Sequence, residues 1–200
     1  MKTYRPYTKS RRNMSTLPYK ELLSGDRPTK SLMKGKKQHA GRNAFGRVTT
    51  RHQGGGHKKS YRDVDFTYNK KDIPAKVETV EYDPYRTGFI ARVCYADGER
   101  RYVLAPKDLK VGDSFIVSEN APIKVGNRLP LGKLPTGTFV YNIELKTGAG
   151  ARIARSAGNY AEVVAHDAGF AQIKLPSTEI RKVSDNAWAS IGAVTNENSR

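Results

Sequence analysis

Thr87-Gly88-Phe89-Ile90-Ala91-Arg92-Val93-Cys94-Tyr95-Ala96 is the most apolar run of the chain; it stops at Asp97-Gly98, and Glu99-Arg100-Arg101-Tyr102-Val103-Leu104 follows at once. Two strand-like runs across an Asp-Gly turn read as a β-hairpin. Upstream, residues 75–82 alternate polar with apolar side chains and end at Asp83-Pro84, while residues 61–66 alternate more weakly. Downstream, Val111-Gly112-Asp113 turns into another short run at 114–117. About five strands therefore fall within roughly sixty residues, with turn signals close together and no convincing 3.6-residue period. This rhythm predicts a small closed barrel with the strand number of the OB-fold, over residues 61–125.

Residues 122–135 are rich in Gly and Pro and weakly patterned, which places a boundary near 125. Further on, alternation returns at 142–146, 160–166, 169–175 and 179–183, with Asp167-Ala168-Gly169 and Pro176-Ser177-Thr178 as turns. Four or five such strands over seventy residues predict an SH3-like barrel spanning 126–200. The stretch 187–194 reads equally as a short helix or a fifth strand. The chain is thus expected to be mainly β: an OB-fold barrel, then an SH3-like barrel, behind a long basic N-terminal extension, residues 1–60.

That extension stands out by charge. The 200 residues carry 36 Lys+Arg against 19 Asp+Glu, a formal net charge of +17. Residues 1–62 hold 17 of those bases and only Glu21 and Asp26 as acids, so nearly all of the excess lies there. A segment of this density, with Gly54-Gly55-Gly56 and few clustered aliphatics, does not offset its own ordering entropy and is expected to be extended until it meets a polyanion. Nucleic acid is the expected partner, with strongly salt-dependent binding. A solvated tail without a specific role is the plainer alternative. No run approaches the roughly 18 apolar residues of a membrane span, and Met1-Lys2-Thr3-Tyr4-Arg5 lacks the apolar stretch of a secretory signal, so no membrane partner is expected and the chain reads as intracellular. The single cysteine, Cys94, permits no internal disulfide, which fits a reducing compartment.

Within the arm, residues 41–59 space Arg42, Arg47 and Arg51 between small residues, followed by His52, His57, Lys58 and Lys59. Glycines let the main chain approach a phosphate backbone, and arginine offers a planar fork for phosphates or for stacking on bases. His52 and His57 have no neighbouring cysteine or acid to complete a metal site, and hydrogen bonding to RNA suits them better; no metal is assigned. The glycine run lacks the G-x-x-x-x-G-K-[ST] pattern of a nucleotide-hydrolysing phosphate loop.

Two further sites carry the same chemistry. Arg86 follows Tyr82-Asp83-Pro84-Tyr85 at a turn stiffened by proline, which predicts a guanidinium at a barrel rim beside Tyr82 and Tyr85; an arginine simply packing on a surface tyrosine is the plainer reading. In 148–160 nearly every residue is small except Arg152, Arg155 and a few others, so a bulky partner can lie against the backbone while the two arginines reach phosphates. A flexible linker is the alternative there.

No catalytic set emerges. Ser156 and His166 invite pairing, but Ser156 lacks a G-x-S-x-G setting. Asp63/Asp65 and Glu78/Glu81 sit in alternating strands, where a solvated face is expected. Cys94 lies in an apolar run and reads as a buried small side chain, and Trp188 as core or rim packing. No cofactor and no small-molecule substrate are expected.

Several segments, in order, resemble the universal large-subunit ribosomal protein L-two family in its bacterial or organellar form: 4–8, 41–58, 81–86, 95–106, 125–131, 140–145 and 155–158. The likeness runs over essentially the whole sequence. It implies an OB-fold, an SH3-like barrel and basic extensions that bind large-subunit ribosomal RNA beside neighbouring ribosomal proteins, in a bacterial cytoplasmic or organellar ribosome. It also implies a part in subunit joining and in the peptidyl-transferase neighbourhood, where the chemistry belongs to RNA. Members usually continue into a basic extension with a Gly- and His-rich loop; this sequence stops at Asn196-Glu197-Asn198-Ser199-Arg200, so that loop's part is not carried over. A free nucleic-acid chaperone or translation factor on the same barrels is the competing reading, and an RNA-modifying hydrolase a third.

Overall fold

The computed structural model describes residues 1–25 and 27–199; Asp26 and Arg200, counted among the charges above, lie outside the described residues. Near the N-terminus, β1 (Lys2–Thr3) pairs with β2 (Ser15–Thr16), and farther on β3 (Met33–Gly35) pairs with β4 (Ser60–Arg62). The first large sheet comprises β5 (Ala75–Glu81), β6 (Ile90–Tyr95), β7 (Arg100–Leu104) and β8 (Ser114–Phe115), antiparallel in the order β7-β6-β5-β8. Val64 adds a parallel bridge to Tyr102 on its far side. In β5, Ala75 and Val77 are buried and Lys76 is exposed, until a bulge between Val77 and Thr79 shifts the register and buries Thr79, Val80 and Glu81 together. The turn at Asp97-Gly98 closes the β6–β7 hairpin as expected, with Gly98 at φ 85°.

The second sheet holds β9 (Arg128–Pro130) and β10 (Phe139–Tyr141). After the separate pair β11 (Ile143–Glu144) and β12 (Ala151–Ile153), it continues with β13 (Ala161–Asp167), β14 (Phe170–Lys174), β15 (Ile180–Ser184) and β16 (Trp188–Ile191). Its order is β15-β14-β13-β10-β16-β9. The ambiguous stretch at 187–194 is therefore a strand, and its four β16 residues are all buried. The chain is mainly β, as expected. Strands β9, β10 and β12 were not evident from patterning: each has three residues, and β9 ends on Pro130 at the sheet edge, where a missing N–H costs no ladder bond. Among the described residues, no helix is long and apolar enough to cross a membrane.

The two sheets are stitched together. Trp188, on β16 of the second, packs in the core of the first with Tyr68, Phe89 and Val117. Lys107 N–H donates to the Ala193 carbonyl (2.8 Å), and Phe89 N–H donates to Thr195 Oγ1 (3.0 Å). Arg128 and Glu144 form a buried ion pair (2.9 Å) inside the second unit, and the Arg128 guanidinium carbon lies 4.6 Å from the ring centre of Tyr68, which belongs to the first.

The basic stretch is not the free tail that its composition predicts. Ser24 Oγ accepts the Val80 N–H, and the Tyr102 hydroxyl accepts the Thr29 N–H (3.0 Å) while donating to buried Glu81 (2.8 Å). Leu23 and Leu32 pack against core clusters of the first barrel. Pairing of Gly35 with Ser60 then closes residues 36–59 into a loop.

The expected solvated face of carboxylates holds for Asp63, which is exposed, and is corrected for Asp65, Glu78 and Glu81. Glu81 is buried, taking hydrogen bonds from Thr79 Oγ1 and Tyr102, with Arg92 at 3.6 Å; Glu78 accepts from Arg92 and Arg100. Asp63 pairs with Lys34, and Asp65 with Arg101 (2.8 Å). Arginines on neighbouring strands turn Asp65, Glu78 and Glu81 inward, because a buried carboxylate is tolerated only when paired. Cys94 is half-buried on β6 rather than enclosed.

Candidate nucleic-acid interface

The site begins with Asp65. Its Oδ1 accepts the N–H groups of Thr67 (2.9 Å) and Tyr68 (3.0 Å) and the Thr67 hydroxyl, while Oδ2 holds Arg101. Burial pushes this carboxyl up, but Arg101 and the Tyr68 and Thr67 donors more than offset it and hold it below its ordinary value. The turn so fixed presents Phe66 to the second barrel. The Phe66 carbonyl accepts the Ala151 N–H (2.8 Å), and a Cβ on Gly150, at φ 79°, would stand 3.1 Å from that carbonyl oxygen. A glycine is needed for the two backbones to approach so closely.

The loop 145–158 is consequently pinned rather than slack. Gly148 N–H donates to Glu144 Oε2 (3.0 Å), the Ala154 carbonyl accepts the Asn142 N–H (3.0 Å), and Ala157 N–H donates to Thr87 Oγ1 (3.0 Å). The buried Arg128–Glu144 pair therefore sits beneath the segment that carries the arginines, with Arg128 also donating to the Asn142 carbonyl (2.6 Å). Arg155 leaves this loop exposed, its guanidinium carbon 4.4 Å from the Phe66 ring centre. Arg86 approaches the same ring at 5.5 Å.

Around them runs a groove of ≈ 480 Å³ lined by Tyr61, Phe66, Tyr85, Arg86, Thr87, Arg155 and Ser156. Tyr61 and Tyr85 meet edge to face at 5.5 Å, and the Lys36 ammonium stands 5.9 Å from each ring. The Tyr85 hydroxyl reaches the Lys59 carbonyl (3.5 Å), bringing the end of the basic loop to the groove.

Arg86 thus lies at a rim, but its ring partner is Phe66; Tyr85 packs on Tyr61, and Tyr82 on Tyr19 (5.9 Å). Its side chain is only 15% exposed, with Nη1 3.1 Å from Oδ2 of fully buried Asp83. Those two atoms are in ion contact without an aligned hydrogen bond. Of the two arginines lining the groove, Arg86 is accordingly committed to a buried carboxylate and Arg155 is the one that stands exposed. Arg152 lies exposed on β12, away from the groove lining. Arg42 and Arg47 sit in a tight hairpin, and Arg51, His52, His57, Lys58 and Lys59 follow it exposed, without regular structure. Sequence reasoning missed Phe66, Tyr61 and Lys36. The signal available was the run Tyr61-Arg62…Phe66 directly after the basic loop, read only as a strand. His166 does not face Ser156: its ring nitrogens lie 3.2 Å from Asp185 Oδ1 and 2.8 Å from the Leu134 carbonyl.

Residues 29–118 match the family profile described as Ribosomal Proteins L2, RNA binding N-terminal domain, and residues 124–200 match Ribosomal Proteins L2, C-terminal domain. The chain belongs to the ribosomal protein L2 family. It is 52% identical over 196 residues to "Large ribosomal subunit protein uL2" of Granulibacter bethesdensis, and 51% identical to the protein of that name from Gluconobacter oxydans. Each alignment covers 98% of this chain and 71% of the relative. The two L2 matches fit the OB-fold and the SH3-like barrel in that order. Tyr61, Phe66, Tyr85 and Arg86 fall in the L2 N-terminal match, Arg155 and Ser156 in the L2 C-terminal match, and so the groove lies across the junction of the two.

Proposed function

We propose that the chain is a structural constituent of the large ribosomal subunit, in a bacterial cytoplasm or an organelle, and binds large-subunit ribosomal RNA and neighbouring ribosomal proteins. The observation that carries the reading is the convergence of Arg155 and Arg86, from two barrels, on one phenyl ring at the end of a strongly basic loop. Phe66 occupies one side of each guanidinium, leaving in-plane donors of Arg155 for phosphate oxygens, while Tyr61 and Tyr85 offer ring surface to a base or ribose. Such a groove suits RNA read by backbone shape, because the deep A-form major groove is closed to side chains. In this reading Arg42, Arg47, Arg51, His52, His57, Lys58, Lys59 and Arg152 make the surrounding phosphate and base contacts. Residues 1–60 act as the basic RNA-binding part, with 61–125 and 126–200 as the two barrels. The role is non-enzymatic: the carboxylates of the first barrel serve as ion-pair partners, and the two nitrogens of His166 are engaged by Asp185 and a carbonyl.

The test is retention on large subunits. The chain is expected to co-sediment stoichiometrically after a high-salt wash, and loss in the wash would favour a loosely held chaperone. Replacing Arg42, Arg47 and Arg51 together by Gln is expected to reduce the slope of log K against log salt by about 2–2.7 if each neutralises a phosphate, at roughly 0.7–0.9 per contact. An unchanged slope would remove these residues from the interface.

A further inference from the structure

The basic loop carries an aromatic that its charge does not explain. Among the described residues, Phe45 is the large apolar side chain standing farthest into solvent, at 90% exposure; Met1 follows at 73%. A lone exposed aliphatic needs no explanation. Phe45 differs in how firmly it is held. Gly46 N–H donates to the Asn43 carbonyl (3.0 Å) and Asn43 N–H to the Arg47 carbonyl (2.9 Å), with Gly46 at φ 77°: a tight turn followed by a glycine bulge. Asn43 Oδ1 accepts the N–H groups of both Phe45 and Arg47 (3.0 Å each), and Arg42 Nη1 clasps the Gly46 carbonyl (2.9 Å). At the base of the hairpin, Arg42 bridges Val48, and the Gly41 carbonyl takes the Thr49 and Thr50 N–H groups. Backbone and side-chain hydrogen bonds on both arms of the hairpin thus hold one phenyl ring at its tip.

The surroundings select the occupant. Residues 36–59 contain no acid, and Arg42 and Arg47 flank the ring on both sides in sequence. A protein hot spot would accept the ring, but an ordinary protein surface would meet uncompensated repulsion or desolvation from the flanking cations. Nucleic acid supplies both the phosphates and the flat apolar face. We propose that Phe45 is a base-stacking residue: the 41–50 hairpin enters folded ribosomal RNA and the phenyl ring stacks on one unpaired, splayed nucleobase while Arg42 and Arg47 hold the adjoining phosphates. This rests on the RNA-binding reading above and adds a contact that electrostatics alone does not give. Stacking is sequence-tolerant and nearly independent of salt, whereas phosphate contacts are steeply salt-dependent, so the two are separable.

The experiment uses the full chain as wild type, Phe45→Ala and Phe45→Trp, with protein-free large-subunit ribosomal RNA as probe, in filter binding over a potassium chloride titration. Loss of one aromatic–base stack is expected to weaken binding by roughly 5- to 150-fold in Phe45→Ala at every salt concentration, with the salt slope unchanged. Phe45→Trp is expected to bind within about twofold of wild type, and its additional fluorescence, above that of Trp188, to be quenched on RNA addition. Equal affinity of wild type and Phe45→Ala overturns the proposal, as does a loss that comes with a shallower salt slope, which would make Phe45 a spacer for the arginines. Intact RNA affinity with exclusion of Phe45→Ala from particles assembled with the other ribosomal proteins overturns it in favour of a protein contact. Should Phe45→Ala fail to fold, an unquenched Phe45→Trp in a folded, RNA-bound chain overturns it alone. If wild type itself does not bind the RNA, the RNA-binding reading falls and takes this inference with it.

Discussion

Arg155, carried by the second barrel, holds its guanidinium carbon 4.4 Å from the centre of the Phe66 ring, which belongs to the first. Arg155 is exposed and, among the described residues, its guanidinium makes a single long hydrogen bond, to the Ala151 carbonyl (3.3 Å), so the contact leaves most of its donors for a ligand. Arg155→Ala is therefore expected to weaken ribosomal RNA binding by about 1–3 kcal/mol with the melting temperature unchanged. Phe66→Leu keeps bulk but removes the π face and should reproduce part of that loss. Filter binding beside thermal denaturation checks both, and unchanged affinity in Arg155→Ala would return it to surface packing.

Arg86 behaves differently, because its partner Asp83 is fully buried. Arg86→Ala leaves that carboxylate without its cation, a defect of the order of 3–5 kcal/mol in comparable buried pairs. The expected outcome is a clear drop in denaturation midpoint, largely relieved by adding Asp83→Asn. Weak RNA binding in the single variant with a wild-type melt would contradict this and make Arg86 a direct contact.

The Arg128–Glu144 pair should couple stability to the RNA loop. Glu144→Gln removes the carboxylate that holds Arg128 and the Gly148 N–H, and a cost of about 3–5 kcal/mol is expected in urea denaturation, again from stranding a buried charge. Replacing both residues by apolar side chains of similar volume should cost less than either single change. A double variant as unstable as the sum of the two would show that the pair is not acting as a unit.

Acid should reveal Asp65. Its folded-state value is lowered, so between that value and the ordinary one of 3.8 the unfolded chain binds more protons, and stability rises with pH through this window. The contribution is complete above about pH 4 and is lost as pH falls through the folded value. Asp65→Asn should flatten the acid limb of a stability–pH curve measured by urea denaturation between pH 5 and 2. An identical limb would assign acid sensitivity to other carboxylates, such as Asp97 and Glu99, whose values are lowered by Lys70 and Arg101.

The strand rhythm was legible wherever one face of a strand is buried and the other wet. Thus the 97–98 hairpin and the 161–184 meander could be placed closely from alternation alone. It failed for β9 and β12, which are too short to show a period, and it blurred residues 61–66, where Tyr61 and Arg62 pair with Met33–Gly35 while Val64 bridges Tyr102 at the edge of the barrel sheet. The arginines of the groove were visible as residue types at turns. Their common target was not, because Phe66 lies 20 and 89 positions away and meets them only through long-range packing. Composition also misjudged residues 23–35: a handful of apolar and hydroxyl groups, Leu23, Ser24, Thr29 and Leu32, suffice to fasten a segment whose average character is that of a disordered tail.

The pairing of Gly35 with Ser60 gives the basic segment a topology as well as a charge. A polymer anchored at both ends has no terminus to thread, so it cannot slip into a finished RNA tunnel the way a loose tail can. The nucleic acid has to close around it. Encirclement of residues 36–59 would then be a late and nearly irreversible event of assembly, with release requiring either the surrounding helices to open or the short β3–β4 clasp to break.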